Sequence, residues 1–223
     1  MLRNWNFVAI VVGKRGCGKT TLARKLVAEH LRTHKSGIVL AHDPVRQYVR
    51  DGAGWYETAD AWREAHRAAA LEKRALPRAS SVGGDPRALT RLAIELGKRA
   101  GNSADAVRVP ILLVFDEASL HDERTHISDE NNELMATQRH LGVGVIFLLQ
   151  QPGQLMTQFW QAVSDAYIFT LRSAHISKLA NALDVDECEV APATQLAPFQ
   201  FLHVKNGGNL RSVDQLARGG GCG

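Results

Sequence analysis

The sequence predicts an α/β fold, a sandwich in which helices flank a mostly parallel central sheet. Three observations predict it. Short apolar runs without polar interruption, such as Phe7 to Val12, Pro110 to Phe115 and Val143 to Leu149, read as strands buried on both faces, the condition of a strand in a parallel sheet. Segments with apolar residues at helical spacing separate these runs, and strands that alternate with helices build parallel sheets. Each run also stops at residues suited to a loop: Gly13, Asp116-Glu117 and Gln150-Gln151-Pro152-Gly153.

The elements follow in order. Asn6 to Val12 is the first strand, and Lys19 to His34, with Leu22, Leu26, Val27 and Leu31 on one face, is the first helix. Gly37 to Ala41 is a second short strand, ended by His42-Asp43-Pro44 because proline cannot pair further. Thr58 caps an amphipathic helix that closes before Pro77, and Asp85-Pro86 is an N-cap followed by proline at the first helical position, opening a helix to about Ala100. Pro110 to Phe115 is a buried strand ending at Asp116-Glu117. Ser128 caps a helix to His140, Val143 to Leu149 is the next strand, and Ala166 to Leu171 another. Phe199 to Val204 with Asn206-Gly207-Gly208-Asn209 suggests a terminal hairpin.

With 223 residues, 45% of them hydrophobic, the chain can bury a full core. Residues 1–217 are expected to form a single domain, with 44–109 a helical, arginine-rich insertion between core strands and 218–223 a flexible glycine-rich tail. Cys17, Cys188 and Cys222 are widely spaced and odd in number, which speaks against a disulfide framework and for a reducing compartment. Met1 to Asn6 lacks the apolar stretch of a signal peptide, and no apolar run approaches the roughly 20 residues of a spanning helix. A soluble chain is expected. The formal charge of +4 and a pI of about 9.1 favour a polyanionic partner such as nucleic acid.

Gly13-Lys14-Arg15-Gly16-Cys17-Gly18-Lys19-Thr20-Thr21 satisfies the P-loop pattern in its strand–loop–helix context. Gly16 and Gly18 allow turns that aim successive N–H groups at an anion, Lys19 reaches the outer phosphates of ATP, the Thr20 hydroxyl ligates Mg²⁺, and Thr21 contacts an inner phosphate. Cys17 contributes chiefly its backbone amide. Asp116, at the carboxyl end of a parallel strand, is placed to hold Mg²⁺, and Glu117 to orient and deprotonate an attacking water. An acid beside the magnesium carboxylate suits hydrolysis and is a liability in a kinase that must exclude water. Gln150, ending the strand that should adjoin the P-loop strand, sits where it can sense the γ-phosphate. Arg139-His140 stand at the other end of that strand, too far for their own nucleotide but placed to reach a neighbour's as an arginine finger.

GKRGCGKTT, LLVFDEA and the segment RHLGVGVIFLLQQP together resemble the FtsK/HerA superfamily of DNA-pumping ATPases. The Arg-His pair ahead of the strand and the compact size are most similar to the genome-packaging ATPases of internal-membrane, tailless phages and viruses. Asp43-Pro44 also matches a pattern common in the group, whereas Leu149 stands where members often carry threonine. The resemblance implies a RecA/FtsK-like P-loop NTPase sandwich and a homo-oligomeric, hexameric ring moving double-stranded DNA. It further implies packaging into a preformed capsid, in the host cytoplasm or at the virion packaging vertex, with capsid or virion membrane proteins as partners.

Arginines crowd the stretch from Arg46 to Arg108 and could line DNA, but Glu57, Asp60, Glu64, Glu72 and Glu95 are interleaved and equally suit solvated helix faces. Trp55, Tyr56 and Trp62 suit a core or subunit interface better than base stacking. His121, His126 and His140 form no readable metal set. Arg172 is a second finger candidate, with structural pairing as its alternative role. Two rival functions stay open. One is an assembly or export ATPase of the filamentous-phage type; the other is a nucleotide or nucleoside kinase.

Overall fold

The computed structural model describes residues 7–101, 109–116, 128–155, 157–205 and 209–216. Val8–Val12 (β1) is buried throughout, and its alternate residues serve two separate cores: Val8, Ile10 and Val12 face one, Ala9 and Val11 the other. That division follows from the two-residue period of a strand and explains why the run contains no polar residue. Lys19–Thr33 (α1) packs Leu22, Ala23, Leu26 and Val27 onto the second core. The first core takes the opposite helices. Those are Ala59–Leu71 (α2), Pro86–Gly101 (α3), Asp129–Leu141 (α4), Thr157–Ala162 (α5), Ile176–Leu183 (α6) and Glu187–Val190 (α7).

The remaining strands are Ile38–His42 (β2), Gly54–Tyr56 (β3), Ala79–Val82 (β4), Ile111–Phe115 (β5), Val143–Leu149 (β6), Asp165–Ile168 (β7), Gln200–Lys205 (β8) and Asn209–Gln215 (β9). They form one sheet in the order β3-β4-β2-β5-β6-β1-β7-β8-β9. All pairings from β3 through β7 are parallel, and β8 and β9 close the sheet antiparallel. The α/β sandwich with a mostly parallel sheet is therefore the observed fold. β8 and β9 are the arms of the expected hairpin, whose connection, 206–208, lies outside the described residues, as does the expected tail at 218–223.

Residues 44–109 depart from the expected helical insertion. Besides α2 and α3 they supply β3 and β4, which pair in parallel beyond β2 and widen the sheet. Gly-Trp-Tyr and Ala-Ser-Ser-Val carry no apolar run, so periodicity does not mark them; partners on a preformed edge decide their conformation. α2 also stops at Leu71 rather than running to Pro77, because the chain turns there and Lys73 takes a left-handed φ of 53°. The caps agree with the sequence reading: Thr58 Oγ1 accepts from the Ala61 N–H and Ser128 Oγ from the Asn131 N–H.

Candidate nucleotide site

Parallel strands put the carboxyl ends of β1, β2, β5 and β6 on one edge of the sheet, and the site forms there. The loop leaving β1 is tied on both flanks: the Gly13 N–H donates to the Leu149 carbonyl at 3.1 Å and the Lys14 N–H to the Thr170 carbonyl at 3.0 Å. Gly13 is obligatory for space, since a Cβ there would lie 2.5 Å from Phe169 Cβ and 2.9 Å from Cys17 Sγ. Gly16 and Gly18 supply the positive φ angles, 77° and 114°, that fold the loop back on itself. A Cβ on Gly16 would meet nothing within 4 Å, so this part of the loop faces open space.

Gly18 is also the N-cap of α1, and the first turn of that helix holds no acidic residue. The positive end of the helix dipole is thus left to an incoming anion. Lys19 Nζ donates to the carbonyls of Gly13 at 2.8 Å and Lys14 at 2.9 Å, so its ammonium spans the loop. Lys14, Arg15 and Gly16 are exposed, and Thr20 and Thr21 are half-buried behind them. Cys17 points inward; burial pushes its thiol up despite the nearby Lys19 charge, which fits a residue used for its backbone alone.

Asp116 follows β5 directly and is buried. Its strand is not adjacent to β1, as β6 stands between them. Gln150, at the tip of β6, does adjoin the P-loop strand, because Leu149 pairs with Val12. Its backbone N–H is held by Gln154 Oε1 at 2.6 Å while the residue itself is exposed. Glu117 lies outside the described residues, as do His121, His126 and Arg108.

Sequence reading noted Asp43 only as part of a pattern. In the structure it is a wholly buried carboxylate at the end of β2, one step past the His42–Phe115 pair and hence beside Asp116. Asp43 Oδ2 accepts from the Tyr48 N–H and from Ser81 Oγ, both at 2.8 Å; Oδ1 has no hydrogen-bond partner among the described residues. Burial, then the negative charges of Asp116 and Asp43, hold the Tyr48 hydroxyl well above its ordinary pKa, so it stays protonated, without a hydrogen-bond partner among the described residues. The signal was present in the sequence: an apolar strand ending in a carboxylate occurs twice, at Asp43 and at Asp116.

Arg139 is exposed in the last turn of α4, at the start of β6 and so at the sheet edge opposite the loop; His140 beside it is exposed too. Arg172 instead follows β7 on the loop's own edge, two residues past Thr170, and is exposed. It forms no ion pair among the described residues. In the arginine-rich stretch, Arg63 binds Asp60 and Glu95, Arg91 binds Glu130, Arg74 binds Glu72, and Lys98 binds Glu133. These charges serve helix faces. Trp62 is core, its Nε1 donating to Ser80 Oγ at 3.0 Å, and Trp55 carries the Arg46 guanidinium 4.2 Å above its ring. Among the described residues no helix is long and apolar enough to cross a membrane.

No family model matches the sequence, and no curated protein matches it either. Solved structures do match its fold. The genome packaging NTPase B204 from Sulfolobus turreted icosahedral virus 2, in complex with ATP-γS, superposes with a TM-score of 0.73 at 16% identity, over 96% of this chain and 100% of that one. VirB4 of Thermoanaerobacter pseudethanolicus gives 0.59 at 10% identity, over 95% of this chain and 90% of that one. The cytoplasmic domain of the Thermomonospora curvata type VII secretion ATPase EccC gives 0.62 at 15% identity, covering 97% of this chain but 26% of that one. The fold implied by the motif resemblance is thus the fold observed, shared with a genome packaging NTPase, VirB4 and a secretion ATPase.

Proposed function

We propose that this chain is an ATP-driven motor that moves double-stranded DNA, in the service of packaging a viral genome. One observation carries the reading: a P-loop, two buried carboxylates and Gln150 stand on one edge of a sheet whose fold matches a packaging NTPase over the full length of that protein.

The backbone N–H groups of residues 15–20 receive the phosphates, and Lys19 leaves the loop carbonyls to neutralise the outer ones. The residues present fit Mg²⁺: the Thr20 hydroxyl and the Asp116 carboxylate are hard oxygen donors that would hold it, and Asp43, one strand over from Asp116, keeps Oδ1 without a partner among the described residues. When bound, the ion spreads the charge of the β- and γ-phosphate oxygens. Glu117 accepts a proton from water as its oxygen attacks the γ-phosphorus, and the bond to the ADP oxygen breaks. Gln150 hydrogen-bonds the γ-phosphate, and its fixed backbone relays whether that group is present. Arg139 completes the site of the next subunit in a homo-oligomeric ring, a hexamer by analogy with the superfamily. Exposed Arg46, Arg50, Arg67, Arg87 and Arg99 form no ion pair among the described residues and are the candidate contacts to DNA phosphates. The same reading puts the protein in the host cytoplasm or at a virion vertex, against capsid or virion membrane proteins.

ATP turnover measured with and without long duplex DNA tests the proposal. Stimulation by duplex is the expected result. Turnover indifferent to DNA points to an assembly or export ATPase, and phosphate transfer to added nucleosides to a kinase.

A further inference from the structure

The peptide joining Cys17 to Gly18 is held by a residue far along the chain. Ala197, Pro198, Phe199 and Gln200 form a turn closed by the Gln200 N–H on the Ala197 carbonyl at 3.1 Å, and Phe199 has a φ of 68°. Proline at the second position and a positive φ at the third is the type II pattern, in which the third residue is ordinarily glycine. An aromatic residue there is an outlier that its surroundings must impose. Here the surroundings are the phosphate loop. The Phe199 N–H donates to the Cys17 carbonyl at 3.0 Å, and its own carbonyl accepts from the Leu216 N–H at 2.9 Å. Its ring covers Gly18 so closely that a Cβ on that glycine would lie 2.9 Å from Phe199 Cδ1.

A trans peptide is planar and carries its C=O and N–H on opposite sides. With the Cys17 carbonyl turned to Phe199, the Gly18 N–H points away from the packed side of the loop, where Phe169, Phe199 and Leu216 lie, and toward its open side. Nothing intrinsic to the loop enforces this. Glycine accepts both signs of φ, so the peptide is free to turn over, and the reversed peptide would aim a carbonyl oxygen at an arriving phosphate. We infer that Phe199 is a positioning residue: its N–H fixes the Cys17–Gly18 peptide so that the Gly18 N–H donates to a nucleotide phosphate. The segment leading into the β8–β9 hairpin thereby sets the anion grip of a loop at the other end of the chain. The inference rests on the reading of the loop as a nucleotide site.

Replacing Phe199 by its α-hydroxy acid, phenyllactic acid, turns the amide into an ester and removes only the donor. Affinity for ADP and for inorganic pyrophosphate should fall about tenfold, the worth of one hydrogen bond, while turnover at saturating ATP holds within about twofold. Phe199→Gly keeps the N–H and suits the positive φ, so it should bind both within about threefold of wild type. Unchanged affinity in the ester variant overturns the inference, and so does an equal loss in Phe199→Gly, which would assign the effect to the ring. A wild-type protein that binds neither probe refutes the nucleotide-site reading itself. A measurement on unaltered protein stands beside these: NMR scalar coupling through the hydrogen bond, from the Phe199 nitrogen to the Cys17 carbonyl carbon, should persist in the ADP complex. Its loss on binding would show a peptide that turns over, against the proposal.

Discussion

At Gly18 two demands meet in one residue: a φ of 114°, and contact with the Phe199 and Phe169 rings at 2.9 and 3.2 Å from where a Cβ would stand. Gly18→Ala should therefore cost about 1–3 kcal/mol of stability from the backbone alone and weaken ATP binding beyond what that loss explains. Thermal unfolding without nucleotide, set against calorimetric titration with ATP, separates the two. Lys19→Ala makes a contrasting case. Lys19 Nζ holds the loop carbonyls of Gly13 and Lys14 and belongs to neither core, so the variant should melt near wild type yet lose nucleotide binding or turnover. Wild-type hydrolysis in a folded Lys19→Ala protein would remove the loop from the chemistry. Such residues were legible in advance because the P-loop is a contiguous pattern. Asp43 was marked only by its place at a strand end, and Phe199 by nothing local, since their importance lies in what stands beside them: Asp116 across a strand pairing, Cys17 across the whole chain.

Among the elements, α1 carries a pH dependence in its last turn. His30 is buried with Nε2 3.3 Å from the Pro110 carbonyl, and burial, aided by the neighbouring His34, lowers its pKa to about 4. The folded protein thus binds fewer protons at this residue than the unfolded chain does between about pH 6.5 and 4. The stabilisation is complete above that window and is lost as pH falls through it, on the order of 2–3 kcal/mol. Urea unfolding at pH 7 and pH 4.5 should show the decline, and His30→Gln should flatten it. Elements with a long apolar run or a cap were readable from sequence: β1, β5, β6, α1 and α4 lie where expected, within a residue or two. β3 and β4 escaped because Gly-Trp-Tyr and Ala-Ser-Ser-Val become strands only on an existing edge, an effect that no local window contains.

On the scale of the whole molecule, the two ends of β6 test the ring. Gln150 stands at the loop's edge and Arg139 at the far edge, so one subunit cannot easily bring both to one phosphate. Arg139→Ala protein should bind ATP about as well as wild type and hydrolyse it poorly, since a finger's charge acts where charge develops in the transition state. Mixing it with Lys19→Ala protein should restore some turnover, because a mixed ring pairs an intact loop with an intact finger. Mixed rings that form yet stay inactive would transfer the role to Arg172, which stands on the loop's own edge.

The strand order also governs how this chain leaves a ribosome. β1 is made before the other described strands, yet both of its sheet neighbours, β6 and β7, come late in the strand series. Until Val143–Leu149 has emerged, five apolar residues wait with neither edge paired, a standing invitation to misassociation. β2 and β4, and then β5, are able to pair meanwhile, so the nascent sheet grows from its far side and reaches the phosphate loop late. Chains released before β6 and β7 have formed thus carry the loop sequence without the strands that flank it.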